Sequence, residues 1–123
     1  EGVFQQRGAE DEAYLIAGHA RFQLGQLYAT GKALPQDLAE SLRWTRQAAD
    51  QGHPGAQHRM GQVHEQGLGV PKDGATASNW YEKAAGQGFA PAQYRLGNLY
   101  ENGRGVEKDV QQARLWYQRA AEA

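Results

Sequence analysis

Shifted against itself by 36 residues, the chain superimposes without a gap, and this constrains its fold more than any other feature of the sequence. Ala20, Ala56 and Ala92 coincide, as do Gly25, Gly61 and Gly97, and Gly31, Gly67 and Gly103. The register continues through Asp37, Asp73 and Asp109, through Trp44, Trp80 and Trp116, and through the pairs Ala48-Ala49, Ala84-Ala85 and Ala120-Ala121. A fixed period of about 20 to 50 residues is the mark of stacked supersecondary units, each too small to bury its own apolar face alone. The 16 glycines, which would otherwise suggest a loose or β-rich chain, are explained by where the period puts them.

Within each unit the pattern predicts two helices. The first spans Ala92 to Asn102, where Ala92, Leu96, Leu99 and Tyr100 recur at helical spacing and Gly103 follows as a left-handed cap. Ala56 to Gln66 and Ala20 to Thr30 repeat it. The second starts from an aspartate N-cap, with Glu40 or Gln112 placed to close a capping box in two units, and ends near Asp50, Gly86 and Glu122. Its inner stripe is Ala113, Trp116, Tyr117 and Ala120, matched by Ala77, Trp80, Tyr81 and Ala84. A glycine in mid-helix costs about 1 kcal/mol relative to alanine. Recurrence at 25, 61 and 97 therefore implies a bulky group against the backbone, and the tryptophan of the same unit is the expected one.

These residues also carry a family resemblance. Gly-Leu-Gly-Val-Pro-Lys-Asp at 67–73, Gly-Arg-Gly-Val-Glu-Lys-Asp at 103–109, Ala-Gln-Tyr-Arg-Leu-Gly at 92–97 and Trp-Tyr-Glu-Lys-Ala-Ala at 80–85 resemble the Sel-1-like repeat, a cousin of the tetratricopeptide repeat. The resemblance covers residues 19 to 123 and implies an all-α superhelical solenoid of three 36-residue helix-turn-helix repeats, at 19–54, 55–90 and 91–123. The first unit departs from the pattern, with Ala33 in place of Gly69 and Gly105, and Thr45 in place of Tyr81 and Tyr117. Residues 1–18 break the register and read as an N-terminal helical cap or degenerate repeat, whose Tyr14, Leu15 and Ile16 would cover the end of the first unit.

Composition excludes several classes of function. Thirteen Lys and Arg against fourteen Asp and Glu give a net charge of -1, without the basic footprint that nucleic-acid binding rests on. No stretch approaches the roughly 18 apolar residues of a membrane span, so membrane insertion is not expected. With no cysteine, neither a disulfide nor a thiolate site is available, and the chain suits an oxidising or a reducing compartment equally. A first residue other than methionine suggests a trimmed product, and a longer repeat array is one reading of the chain.

No catalytic or metal constellation emerges, and no cofactor is called for. His58 and His64 lie six apart on one helix, whereas paired ligands use three or four. His64 shares the position of Tyr28 and Tyr100 and reads as packing, and His58 as surface. Ser41 falls on an inner helix face, and Ser78 has no neighbouring histidine and acid that spacing recommends. Gly-x-Gly at 67 and 103 lacks the preceding strand and the lysine of a phosphate loop, so turn geometry accounts for it. Glu10, Asp11 and Glu12 read as a solvated helix start.

The function expected is therefore binding. In tetratricopeptide proteins the first helix of each unit lines an inner groove, and the resemblance carries this to Tyr94, Asn98, Glu101 and Asn102 in the last unit. The matching residues are His58, Gln62, Glu65 and Gln66 in the middle unit and Phe22, Gln26, Ala29 and Thr30 in the first. An aromatic column (Phe22, His58, Tyr94), a carboxamide column (Gln26, Gln62, Asn98) and two acids (Glu65, Glu101) suit an extended peptide or loop bearing lysine or arginine. The resemblance implies a non-catalytic adaptor that assembles proteins. The alternative it also raises is an enzyme that binds or hydrolyses β-lactams, as linked to cysteine-rich bacterial relatives whose cysteines this chain lacks.

Overall fold

The computed structural model describes residues 2–30 and 37–123, with side chains from Glu12 onward. Among these residues are six helices and no strand: α1 (Gly2–Thr30), α2 (Leu38–Asp50), α3 (Pro54–Gln66), α4 (Gly74–Gly86), α5 (Ala90–Asn102) and α6 (Val110–Glu122). The main packing joins consecutive helices, α1 with α2 through to α5 with α6, as a chain of stacked hairpins requires. The ends of the second helices fall where the sequence places them. Gly31 and Ala33, the first-unit loop positions, lie outside the described residues.

Local chemistry starts and stops these helices. The Asp37 carboxylate accepts from Ala39 N and Glu40 N, Asp73 from Thr76 N, and Asp109 from Gln111 N and Gln112 N. The expected capping boxes do not form around them. The N–H that Glu40 or Gln112 would accept is donated across the hairpin, from Asp37 to the Tyr28 carbonyl at 3.1 Å and from Asp109 to the Tyr100 carbonyl at 2.9 Å. Asp73 does the same to His64 at 2.9 Å. This one bond clamps the loop of each hairpin. Gly67 and Gly103 close α3 and α5 in the left-handed region at φ 72 and 66, where a side chain would be strained.

The mid-helix glycines do face something bulky, but it is not the tryptophan. A Cβ on Gly61 would stand 2.6 Å from Cε1 of Tyr81, and one on Gly97 would stand 2.5 Å from Cε1 of Tyr117. Gly25 meets Thr45, the residue at that position in the first unit. The neighbouring Trp80 turns instead to the seam with the preceding unit, where it packs with Ala48 and Ala49 of that unit and with Ala56 and Met60 of its own. Trp116 is partly buried against the Tyr81, Leu96 and Leu99 cluster. A cation lies over each ring, Lys83 on Trp80 at 4.5 Å and Arg119 on Trp116 at 4.6 Å.

Successive units interlock through recurring contacts. Gln57 Nε2 donates to the Ala49 carbonyl and Gln93 Nε2 to the Ala85 carbonyl, both at 3.2 Å and both buried. Ala56 and Ala92 are fully buried against the helix before them. Ala20, at the same repeat position, is exposed, and no helix precedes α1 among the described residues. The segment before Ala20 continues α1 without a break, and the covering expected of Tyr14, Leu15 and Ile16 is not seen: they are 53, 70 and 61% exposed. Tyr14 alone reaches back, its hydroxyl donating to the Gln51 carbonyl at 2.7 Å.

Candidate partner-binding face

The second and third hairpins each aim a tyrosine hydroxyl from the second helix at the polar stripe of the first, whereas the first hairpin has Thr45 at that position. Tyr81 donates to Glu65 Oε1 at 2.7 Å, and the Tyr117 hydroxyl lies 2.7 Å from Asn98 Oδ1 and 2.9 Å from Glu101 Oε1. Burial, followed by the Glu65 bond, raises the Tyr81 hydroxyl far above the usual phenol range, and burial with the Glu101 bond pushes Tyr117 up to about 12. Both phenols therefore stay protonated as donors at neutral pH. One hydroxyl hydrogen serves one acceptor at a time, so on α5 either Asn98 or Glu101 keeps an acceptor turned to solvent.

The aromatic column divides by unit. Phe22 stacks on His53 at 4.9 Å, and His58 lies 5.6 Å from both Tyr81 and Phe89. These two rings thus serve the seams between units. His58 is half-buried, not a surface residue, and burial, reinforced by Arg95 and Arg59, lowers its pKa. Tyr94 is the open member, 54% exposed and tilted over Tyr117 at 5.7 Å. Of the carboxamides, Gln62 accepts from Arg59 at 3.5 Å, and Asn102 donates to the Asn98 carbonyl at 2.9 Å. Gln26 is half-buried on α1.

A histidine pair went unnoticed in the sequence because its members lie far apart along the chain, one on α1 and one at the cap of α3. His19 Nδ1 lies 3.4 Å from His53 Nε2, with the rings stacked, while His53 Nδ1 accepts the Ala56 N–H and caps α3. Burial, then the neighbouring His19, lowers the His53 pKa. Among the described residues no three histidines or acids gather as metal ligands, and no helix is long and apolar enough to cross a membrane.

A stack of helical hairpins, each packed on the next, defines an α-solenoid of the helix-repeat class. The model of the Sel1 repeat matches residues 18–53, 54–89 and 90–123, so the chain belongs to the Sel1 repeat family. It is similar to the Sel1 repeat protein from Oxalobacter formigenes, with 38% identity over 99% of this chain and 90% of that one, and a TM-score of 0.82. It is also similar to c5321, a protective antigen of uropathogenic Escherichia coli with the same fold, at 36% identity over 96% of this chain and 25% of that chain, TM-score 0.85. Cysteine rich protein B of Helicobacter pylori, 22% identical over 94% of this chain and 86% of its own, shares the fold with a TM-score of 0.73. No curated protein matches the chain. Sel1 repeat proteins are generally protein-interaction scaffolds.

Proposed function

We propose that this chain is a non-catalytic interaction module that holds an extended protein segment along the inner face of its second and third units. The observation that carries this reading is the α5 stripe. Tyr94 and Glu101 are exposed, and the Tyr117 hydroxyl lies within hydrogen-bonding distance of Asn98 and Glu101 and ties down one of them before any partner arrives. Side chains ordered in advance lose less entropy on binding. The Asn98 amide and the acceptor left over beside it suit the alternating N–H and C=O groups of an extended backbone, and Tyr94 offers a flat apolar surface beside them.

The test begins with affinity capture on the intact chain, followed by calorimetry with the partner identified. The Tyr94→Ala/Asn98→Ala variant should bind more than about 1 kcal/mol more weakly with only a small fall in melting temperature, since Tyr94 is exposed and Glu101 can still accept the Tyr117 hydroxyl once Asn98 is gone. Replacing Gln111 and Gln118 on the exposed face of α6 should have little effect. A larger loss there would place the binding surface on the outer face. Turnover of a chromogenic β-lactam by the purified chain would overturn the non-catalytic reading.

A further inference from the structure

The seam between the second and third units holds a cleft of about 750 Å³ whose lining includes Glu65, Lys72, Gly74, Arg95, Leu99 and Arg104. Three cations from three segments of chain meet there: the loop before α4, the first half of α5, and the loop after it. Internal ion pairs do not account for them. Those formed among the described residues, Arg43 with Glu40 and Arg46 with Asp50, both lie on α2. Glu65, the acid in the lining, already receives the Tyr81 hydroxyl. Asp73, just outside, is held by Thr76 through its backbone N–H at 3.2 Å and its hydroxyl at 2.8 Å. In a chain of net charge -1, three cations against one carboxylate make this a local positive site.

The cluster belongs to this seam and is not a by-product of the repeat. One unit earlier, Gln36 stands where Lys72 does and Leu68 where Arg104 does, leaving Arg59 alone in the position of Arg95. Leu99, 1% exposed, gives the cleft an apolar floor. The cleft also adjoins the stripe described above, since Glu65 and Gln66 of that stripe are in its lining.

We propose that this cleft receives an acidic, extended segment of a protein partner, with Asp or Glu carboxylates on Arg95, Arg104 and Lys72 and an apolar side chain against Leu99. Guanidinium groups pair with carboxylates in a two-pronged geometry, and the Lys72 ammonium adds a point charge. This rests on the inner-face reading and reverses the basic partner that Glu65 and Glu101 suggest in the sequence, because Lys72, Arg95 and Arg104 outnumber Glu65 in the lining of the cleft. A phosphate backbone is a poorer fit, since its binding needs a continuous basic surface and here one cleft carries the charge.

Backbone amide shifts of the isotopically labelled full chain test the proposal directly. The probe is a capped hexapeptide of sequence Glu-Glu-Leu-Glu-Glu-Leu, compared with versions carrying Gln or Lys at every Glu. The acidic peptide should give saturable shifts centred on Gly74, Arg95, Leu99 and Arg104, weakening as sodium chloride is raised. Its affinity should fall at least fivefold in Arg95→Gln/Arg104→Gln and hold in Arg43→Gln/Arg46→Gln on α2, which changes the net charge equally. Matching circular dichroism spectra confirm that both variants are folded. Equal shifts with the Gln peptide, tighter binding of the Lys peptide, no saturable shift at millimolar peptide, or indifference to the Arg95/Arg104 pair each overturn the proposal. A captured partner that depends on Tyr94 and Asn98 but not on Arg95 and Arg104 would overturn the cleft and leave the inner-face reading standing.

Discussion

Replacing Gly61 by alanine sets two physical effects of opposite sign against each other. Gly61 is buried in the interior of α3, so alanine should stabilise the helix itself by about 1 kcal/mol. The new methyl, however, would stand 2.6 and 2.7 Å from Cε1 and Cδ1 of Tyr81, well inside contact distance. Tyr81 has no room to yield, being fully buried and tied to Glu65 through its hydroxyl. Overpacking of this kind costs about 1 to 3 kcal/mol, and weakening a hydrogen bond to a charged group costs about 1.5 to 3 more when it is lost outright. With the bond partly retained, the balance is a net loss of about 2 kcal/mol, or a melting temperature lower by roughly 8 °C for a domain of this size. Urea unfolding followed by circular dichroism and tryptophan fluorescence measures it. In a Tyr81→Ala background the same change should become stabilising, because only the helix term survives. In a Trp80→Ala background it should remain destabilising by the same amount. A stabilising Gly61→Ala in the parent chain, or coupling to Trp80 in place of Tyr81, would refute the packing argument.

Gly97→Ala should cost less than Gly61→Ala in the same assay, since Tyr117 lies on the last helix and is only partly buried, leaving its ring free to swing outward. Trp80→Ala should cost about 3 to 5 kcal/mol and Trp116→Ala less, because Trp80 is packed by the preceding unit and 8% exposed while Trp116 is only partly buried; equal losses below about 1 kcal/mol would show that neither ring is core. Stability should fall as pH drops below about 6.5, the ordinary histidine value, because His53 and His58 have lowered folded pKa values and the unfolded chain then binds more protons. Their contribution is complete above the unfolded pKa and is lost as pH falls through the folded one, and protonation at Nδ1 would also remove the His53 cap from Ala56. Urea midpoints that stay flat from pH 7.5 to 5, or an equal slope in a His53→Asn/His58→Gln variant, would contradict this assignment.

The sequence by itself determined the period, the class of fold and the helix boundaries near their caps. Those signals are local and repeat: an aspartate that can bond N–H groups two or three residues on, a glycine that can take positive φ, and apolar residues at helical spacing. Three copies of each leave little room for error. What the sequence left open is the rotation of one helix about its axis relative to the next. Trp80 and Tyr81 are chain neighbours, about 100° apart on the helix, and both belong to one apolar stripe. Which of them meets Gly61 depends on how α4 settles on α3, and that is decided by the packing of whole faces. The same holds for the columns on the first helices. Phe22, His58 and Tyr94 are equivalent in sequence, yet His53 and Phe89, the residues that lead into α3 and α5, cover the first two, and Tyr94 stays open. Gln57 Oε1 accepts from Gln87 at 2.8 Å, whereas Gln93 Oε1 is buried without a partner, because alanine at 123 offers no amide in the place of Gln87. Likewise Lys72, Arg95 and Arg104 come from separate segments and become one cleft only when the third unit stacks on the second. A repeat fixes each hairpin through contacts within the unit, but what a residue meets at a seam depends on the neighbouring unit, and only the tertiary structure supplies that.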